Sequence, residues 1–252
     1  YQLARLVLFA AALLLLPAIW RRHGLTTAGA LAVMLLYAAA LSGSWYRFRL
    51  RDVLHAVLLL VCVAGLLNRR WSWLLPAFVL AALNREDAVL VPLFAGALYL
   101  LGARDRWLLA AAGVTLGLLV AVRLGLVAAL GPRPYHAPLW QVAYNWESLK
   151  LLVITANPFH PVASRLAVHG PLLLAALLAW RRQPPALRAG VVVFVLFNLA
   201  KLLIARLQEL EHEAYMLTFL APAAINGLLG AGPARTGCAV AAASGASPSP
   251  RE

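Results

Sequence analysis

The sequence predicts an all-α polytopic membrane protein, a bundle of about nine transmembrane helices, several of them short, with a long external loop. Three observations predict it. Of 252 residues, 63% are apolar and only 12% charged, against about half and about a quarter in soluble domains. The apolar residues fall in runs of roughly bilayer-crossing length. The cations, which leave a net charge of +13, stand in short clusters between those runs, where membrane insertion puts them. With a mean hydropathy of +0.81, such a chain needs lipid to cover its apolar surface and helices to satisfy its backbone inside that lipid.

In chain order the runs are 2–20, 25–43, 52–67, 71–84, 88–101, 107–130, 166–180, 189–207 and 214–232. Crossing takes about 20 residues, rarely fewer than about 17, so several runs are short. The first run has the apolarity of a signal peptide, but Arg21-Arg22 follows it rather than a small-x-small cleavage site, which predicts a span. The chain opens on Tyr1 rather than Met, and further N-terminal helices are expected upstream.

Runs 71–84 and 88–101 flank Asn84-Arg85-Glu86-Asp87. They are either two short helices joined by a sunken hairpin or one long helix with charges at its centre. The charge pattern selects the hairpin. Alternate loops then carry Arg21, Arg22, Arg69, Arg70, Arg104, Arg106, Arg181, Arg182 and Arg188, opposed only by Asp105. The other side holds Asp52, Glu86, Asp87, Glu147, Glu209, Glu211 and Glu213. Without the hairpin the two groups mix. The arginine side is expected to be cytoplasmic and the acidic side external.

Residues 131–165, with five prolines and with Trp140, Tyr144 and Trp146, read as an external loop carrying a helix at the membrane interface. The membrane domain is expected over 1–232. The Ala/Gly/Ser/Pro-rich tail, 233–252, is expected to be disordered and cytoplasmic.

Several function classes drop out. Nucleic-acid binding needs cations on one solvated face, and these are dispersed between spans. Cys62 and Cys238 imply no disulfide framework. There is no phosphate-binding loop, dinucleotide fingerprint, nucleophile elbow or zinc helix; after His212-Glu213 the position for a second zinc ligand is Met216. Gly113-x-x-x-Gly117 reads as close helix packing.

Candidate chemistry gathers on the acidic side. Five histidines, His55, His136, His160, His169 and His212, are expected there. Arg123, Lys201 and Arg206 lie inside predicted spans in the outer half of the membrane. An intramembrane cation points to a site because burying it costs several kcal/mol. Facing one cavity these three could hold a phosphate; the alternative is snorkelling to the interface. In Arg85-Glu86-Asp87 a recessed carboxylate beside a compensating arginine suits a general base; the alternative is a self-paired turn. Glu209, Glu211 and Glu213, with His212, could hold a divalent metal, pair with Arg206 or Lys201, or form a solvated loop. No other cofactor and no metal site is expected. His160, in Asn157-Pro158-Phe159-His160-Pro161, is a loop-edge residue or a substrate contact.

The run Leu83-Asn84-Arg85-Glu86-Asp87-Ala88-Val89-Leu90-Val91-Pro92 closes one span and opens the next. It resembles a segment of bacterial GT-C type glycosyltransferases, in which an Arg and an acidic or polar pair stand at such a turn. Glu211-His212-Glu213-Ala214-Tyr215-Met216-Leu217, leading into Pro222, resembles their final acidic loop and span; an Arg often stands there where this chain has Glu213. The resemblance spans residues 45–230 in layout and these two motifs in sequence. It implies a multi-pass protein of the bacterial plasma membrane. The implied activity is transfer of a sugar from a polyprenyl-phosphate donor at the external face. The family's acidic base belongs to a first external loop that would precede Tyr1. On this chain the expected roles are donor-phosphate binding by Arg123, Lys201 and Arg206, proton acceptance by Glu86 or Asp87, and orientation of those carboxylates by Arg85. His160 and Glu211 are expected to contact substrate, and loop 131–165 to cover the acceptor. The alternatives are a lipid-linked glycan ligase or polymerase, a transporter or flippase, and a non-catalytic membrane subunit.

Overall fold

The computed structural model of the chain describes residues 2–43, 50–131, 145–147, 150, 161–204 and 213–229. These residues are helical almost throughout. In order they form α1 (Gln2–Arg21), α2 (Thr27–Gly43), α3 (Leu50–Leu67), α4 (Trp71–Asn84), a 3-10 turn (Glu86–Val89), α5 (Leu90–Leu98), a π turn (Tyr99–Ala103) and α6 (Arg106–Leu130). Then come α7 (Pro161–Leu178), a 3-10 turn (Trp180–Arg182), α8 (Pro185–Ile204) and α9 (Glu213–Leu229).

The ends of these helices follow from local chemistry. Asp105 caps α6, accepting from the Trp107 amide at 3.0 Å, which satisfies a donor that the first turn leaves orphaned. Pro185 opens α8, where a missing N–H costs nothing. Arg85 ends α4 in extended geometry, φ −153° and ψ 151°. Glu86 and Asp87 then open the next turn, where acids suit the positive end of the peptide dipoles.

The expected hairpin is present: α4 and α5 are separate elements joined through Arg85 and the 3-10 turn. Its second arm departs from expectation. Run 88–101 is not one helix of fourteen residues but a 3-10 turn, nine residues of α5 and a π turn. The chain leaves this arm at Gly102, φ +139°, a conformation open to glycine and strained for residues with a Cβ.

Among the described residues three helices, α1, α3 and α6, are long and apolar enough to cross a bilayer, and α4 and parts of α2, α7 and α9 are shorter apolar helices. This supports membrane embedding at a coarser level than nine spans. At about 1.5 Å per residue, α5 alone covers about 13 Å and cannot cross. The central helix is α3, with 67% of its span buried, whereas α6 has 6% buried and lies on the periphery. Leu109, Leu116, Leu124, Val127 and Leu130 of α6 are exposed, and a bilayer is the medium that covers such a stripe.

Helix α3 packs on α1 and α4, α5 on α6 and α8, and α9 on α2, α7 and α8. Trp20, Phe94 and Phe219 link α1, α5 and α9, with ring centroids 6.4 Å and 5.5 Å apart. Three glycines set the closest approaches. A Cβ on Gly65 would stand 2.8 Å from the Leu74 nitrogen, on Gly190 2.6 Å from the Phe219 oxygen, and on Gly227 2.6 Å from the Ala175 oxygen.

This packing sorts the loops onto two ends. Arg69 pairs with Asp105 at 2.5 Å, Gly24 lies against Pro184, and Gly102 faces Pro185. Loops 21–24, 68–70, 102–106 and 180–185 thus share one end, as the alternation of arginines predicts. Residues 50–52 and 84–87 share the other end, because Asn84 Nδ2 donates to the Arg51 carbonyl at 2.8 Å. His169 lies within α7, nine residues before Leu178, edge-on to Phe194 with centroids 5.4 Å apart. The loop around 132–144, most of 148–160 and the tail 233–252 lie outside the described residues.

Candidate functional site

At the end opposite the arginine-rich loops, α3, the 84–87 turn and α6 bring three cations and three carboxylates together. Asp52 stands in the first turn of α3 and is buried. Arg85 reaches it because the extended backbone at Arg85 swings the side chain out of the α4 register. Arg85 Nη1 meets Asp52 Oδ1 at 2.5 Å, and Arg85 Nε meets Asp87 Oδ2 at 3.1 Å. One guanidinium thus bridges two carboxylates through different nitrogens, which its planar fork permits and an ammonium would not. Arg51 adds a longer contact, Nε to Asp52 Oδ1 at 3.7 Å.

The third carboxylate takes a separate cation. Arg123 Nη2 donates to Glu86 Oε2 at 2.8 Å. Arg123 lies seven residues before Leu130, the last residue of α6, about 10 Å along the helix. It is part-buried, while the Glu86 side chain is 59% exposed. The guanidinium therefore extends to the hairpin instead of standing alone in the apolar layer. Charges Arg51, Arg85 and Arg123 match Asp52, Asp87 and Glu86. This balance lets the group sit among apolar helices, since unpaired charge there is far more costly.

Of the two acids, Asp87 is buried against the protein, 5% exposed, whereas Glu86 faces outward. In Arg85-Glu86-Asp87 the two acids thus differ in kind: Asp87 is clamped, and Glu86 is accessible and held by a single partner. His55, fully buried, follows Asp52 by three residues on α3, so the two share a helix face.

Of the other expected site residues, Lys201 is on α8, 4% exposed, with Nζ 5.7 Å from the Phe197 ring centroid. That cation–π contact offsets part of the cost of burying an ammonium. Arg206, His160 and Glu211 lie outside the described residues, as do Glu209 and His212. Among the described residues no three histidine, cysteine or acidic side chains cluster as a metal set; the Glu209–Glu213 alternative falls outside that comparison. Of the interface loop, Glu147 and Lys150 pair at 2.8 Å and the Lys150 ammonium lies 5.8 Å from the Trp146 ring centroid.

The structure brings together Arg85, Glu86, Asp87 and Arg123, all expected in the site, and adds Asp52 and Arg51. The sequence places Asp52 only among the acids of the external side and singles out no role for Arg51. Their signal was present in the sequence: Asp52 heads an apolar run on the side assigned to the hairpin. What the sequence could not supply was the partner, 33 residues away along the chain.

No protein-family model, curated protein or solved structure matches the chain.

Proposed function

We propose that this chain is a membrane-embedded glycosyltransferase that takes a sugar from a polyprenyl-phosphate donor at the external face of a bacterial plasma membrane. The observation that carries the reading is the Glu86–Arg123 pair, an accessible carboxylate held by a part-buried arginine inside an apolar helix bundle. An arginine set about one helix turn or two below the membrane surface suits a lipid-borne phosphate. A carboxylate beside it suits a base for an acceptor hydroxyl.

The proposed step is an inverting displacement. A donor phosphate engages Arg123, with Lys201 and Arg206 as the further candidate cations. Arg123 turning to the phosphate releases Glu86, which accepts the proton of the acceptor hydroxyl. The acceptor oxygen bonds to the anomeric carbon as the bond from that carbon to the phosphate oxygen breaks. The leaving polyprenyl phosphate carries away the electron pair, and the cations stabilise its charge. Arg85, bridging Asp52 and Asp87, fixes the turn from which Glu86 projects. His160 and Glu211 remain candidate substrate contacts, and a divalent metal on the Glu209–Glu213 segment remains the alternative to purely cationic stabilisation. A lipid-linked glycan ligase or polymerase would use the same phosphate logic.

A second reading, a non-catalytic membrane subunit, is favoured by one specific fact: both hairpin acids already carry an arginine. The conservative variant Glu86→Gln separates the two. Its side chain is mostly solvated, so folding should be unaffected. Membranes carrying the variant should lose at least about a hundredfold of lipid-linked sugar transfer, the usual worth of a general base. Unchanged transfer with intact expression would dismiss Glu86 as base and leave the pair structural.

A further inference from the structure

The opposite end of the molecule carries a second arrangement that the transfer chemistry does not use. A cleft of about 740 Å³ is lined by Leu177, Leu178, Trp180, Arg181 and Arg182. It joins two chemistries within six residues. Leu177 and Leu178 close α7 and are exposed, Leu178 to 81%. Arg181 and Arg182, in the following 3-10 turn, are exposed as well. Among the described residues neither guanidinium has a carboxylate within ion-pair distance. Trp180 lies between the two pairs, partly buried against the core, and indole is a side chain that favours the membrane interface.

The turn is held rigid from within. Gln183, buried behind it, donates through Nε2 to the Ala176 carbonyl at 2.9 Å and to the Ala223 carbonyl at 3.0 Å. These bonds tie the turn to both α7 and α9. The same two helices are in backbone contact where Gly227 meets Ala175. The cleft is therefore preformed, and a ligand entering it orders little of the protein. Around it the whole end is cationic: its loops gather Arg21, Arg22, Arg69, Arg70, Arg104 and Arg106, and Asp105 is already taken by Arg69.

We propose that this cleft binds the headgroup of an anionic phospholipid from the facing leaflet, its phosphate on Arg181 and Arg182 and its chains along Leu177 and Leu178. Cations beside exposed leucines match a molecule that is anionic at one end and apolar at the other. A soluble phosphate would use the arginines and leave the leucines idle. The inference rests on membrane embedding and is independent of the proposed transfer reaction.

Native mass spectrometry of the purified, delipidated chain in detergent tests it, with phosphatidylglycerol and phosphatidylcholine as probes. Phosphatidylglycerol should be retained at one per chain and phosphatidylcholine released. The double variant R181Q/R182Q should bind phosphatidylglycerol about thirtyfold more weakly, as two lost surface cations imply. R104Q/R106Q, at the same end but off the cleft, should bind as the wild type does. A photoreactive phosphatidylglycerol on the wild-type chain should label residues 177–182, which keeps the test independent of any variant's folding. Equal retention of the two lipids, equal losses in both double variants, or labelling elsewhere would each overturn the proposal. Displacement of the lipid by glycerol phosphate at the same concentration would show a free-phosphate site and overturn the lipid assignment.

Discussion

Arg85 shows how one side chain decides what a segment does. Its backbone is extended, so α4 stops there, and its guanidinium then holds Asp52 and Asp87 from two elements. Both carboxylates are nearly buried, with side chains 1% and 7% exposed, so their cation is needed in proportion. Arg85→Met takes from both acids the cation they share and should cost on the order of 3–5 kcal/mol, the usual penalty for breaking a buried ion pair. Asp52→Asn leaves Arg85 paired with Asp87 and should cost less, about 1–3 kcal/mol. Thermal unfolding of the two variants in one detergent checks the order, Arg85→Met well below Asp52→Asn and both below wild type. If Arg85→Met unfolds at the wild-type temperature, the bridge carries no stability. At this scale the motif was legible as three adjacent charges and a helix stop. Asp52 as the second partner was not, because ion pairing between distant residues leaves no local trace.

At the scale of helices, close packing rather than hydrophobicity sets the contacts, since lipid is as apolar as a leucine face. Gly190 of α8 lies against the backbone of α9 at Phe219. In a solvated helix, replacing glycine by alanine gains about 1 kcal/mol of propensity. Here the added Cβ meets a carbonyl oxygen at 2.6 Å, and backbone cannot yield as a side chain can. Gly190→Ala should therefore destabilise in spite of propensity, by about 1–3 kcal/mol. Gly113→Ala, on the open face of α6 with nothing within 4 Å of the new atom, should be neutral or stabilising. A thermal-stability comparison of the two variants decides it, and equal effects would refute the packing argument. Gly113 and Gly117 have the spacing of packing glycines. Within this chain they face outward, and the glycines that do pack, Gly190 and Gly227, stand in the less conspicuous pairs Ala186-x-x-x-Gly190 and Ala223-x-x-x-Gly227.

For the whole molecule the decisive feature is the separation of charge onto two ends. Arginines collect at loops 21–24, 68–70, 102–106 and 180–185, while the balanced ion-pair group occupies the far end of α3, α4 and α6. The proposed orientation follows the positive-inside tendency, with the arginine end in the cytoplasm and Glu86 outside. Single cysteines at positions 86 and 185 should label from opposite sides of the membrane with an impermeant thiol reagent. Pro185 is exposed, the native Cys62 is buried and should stay silent, and Cys238 is replaced by serine in both variants. Labelling of both positions from one side would remove the hairpin from the external face and the proposed site with it.

The sequence by itself determined that the chain is helical and built for lipid, that it turns back at Arg85, and which loops carry the arginines. Those properties are sums over neighbours: apolar run length, a helix stop and the sign of nearby charges. The tertiary structure decided which charges meet. It joined Arg85 to Asp52 across 33 positions and Arg123 to Glu86 across 37, and it divided the second hairpin arm into a 3-10 turn, α5 and a π turn. Such pairings depend on which helix faces pack together. Apolar faces that lipid and protein cover almost equally well leave only a faint mark in the order of residues.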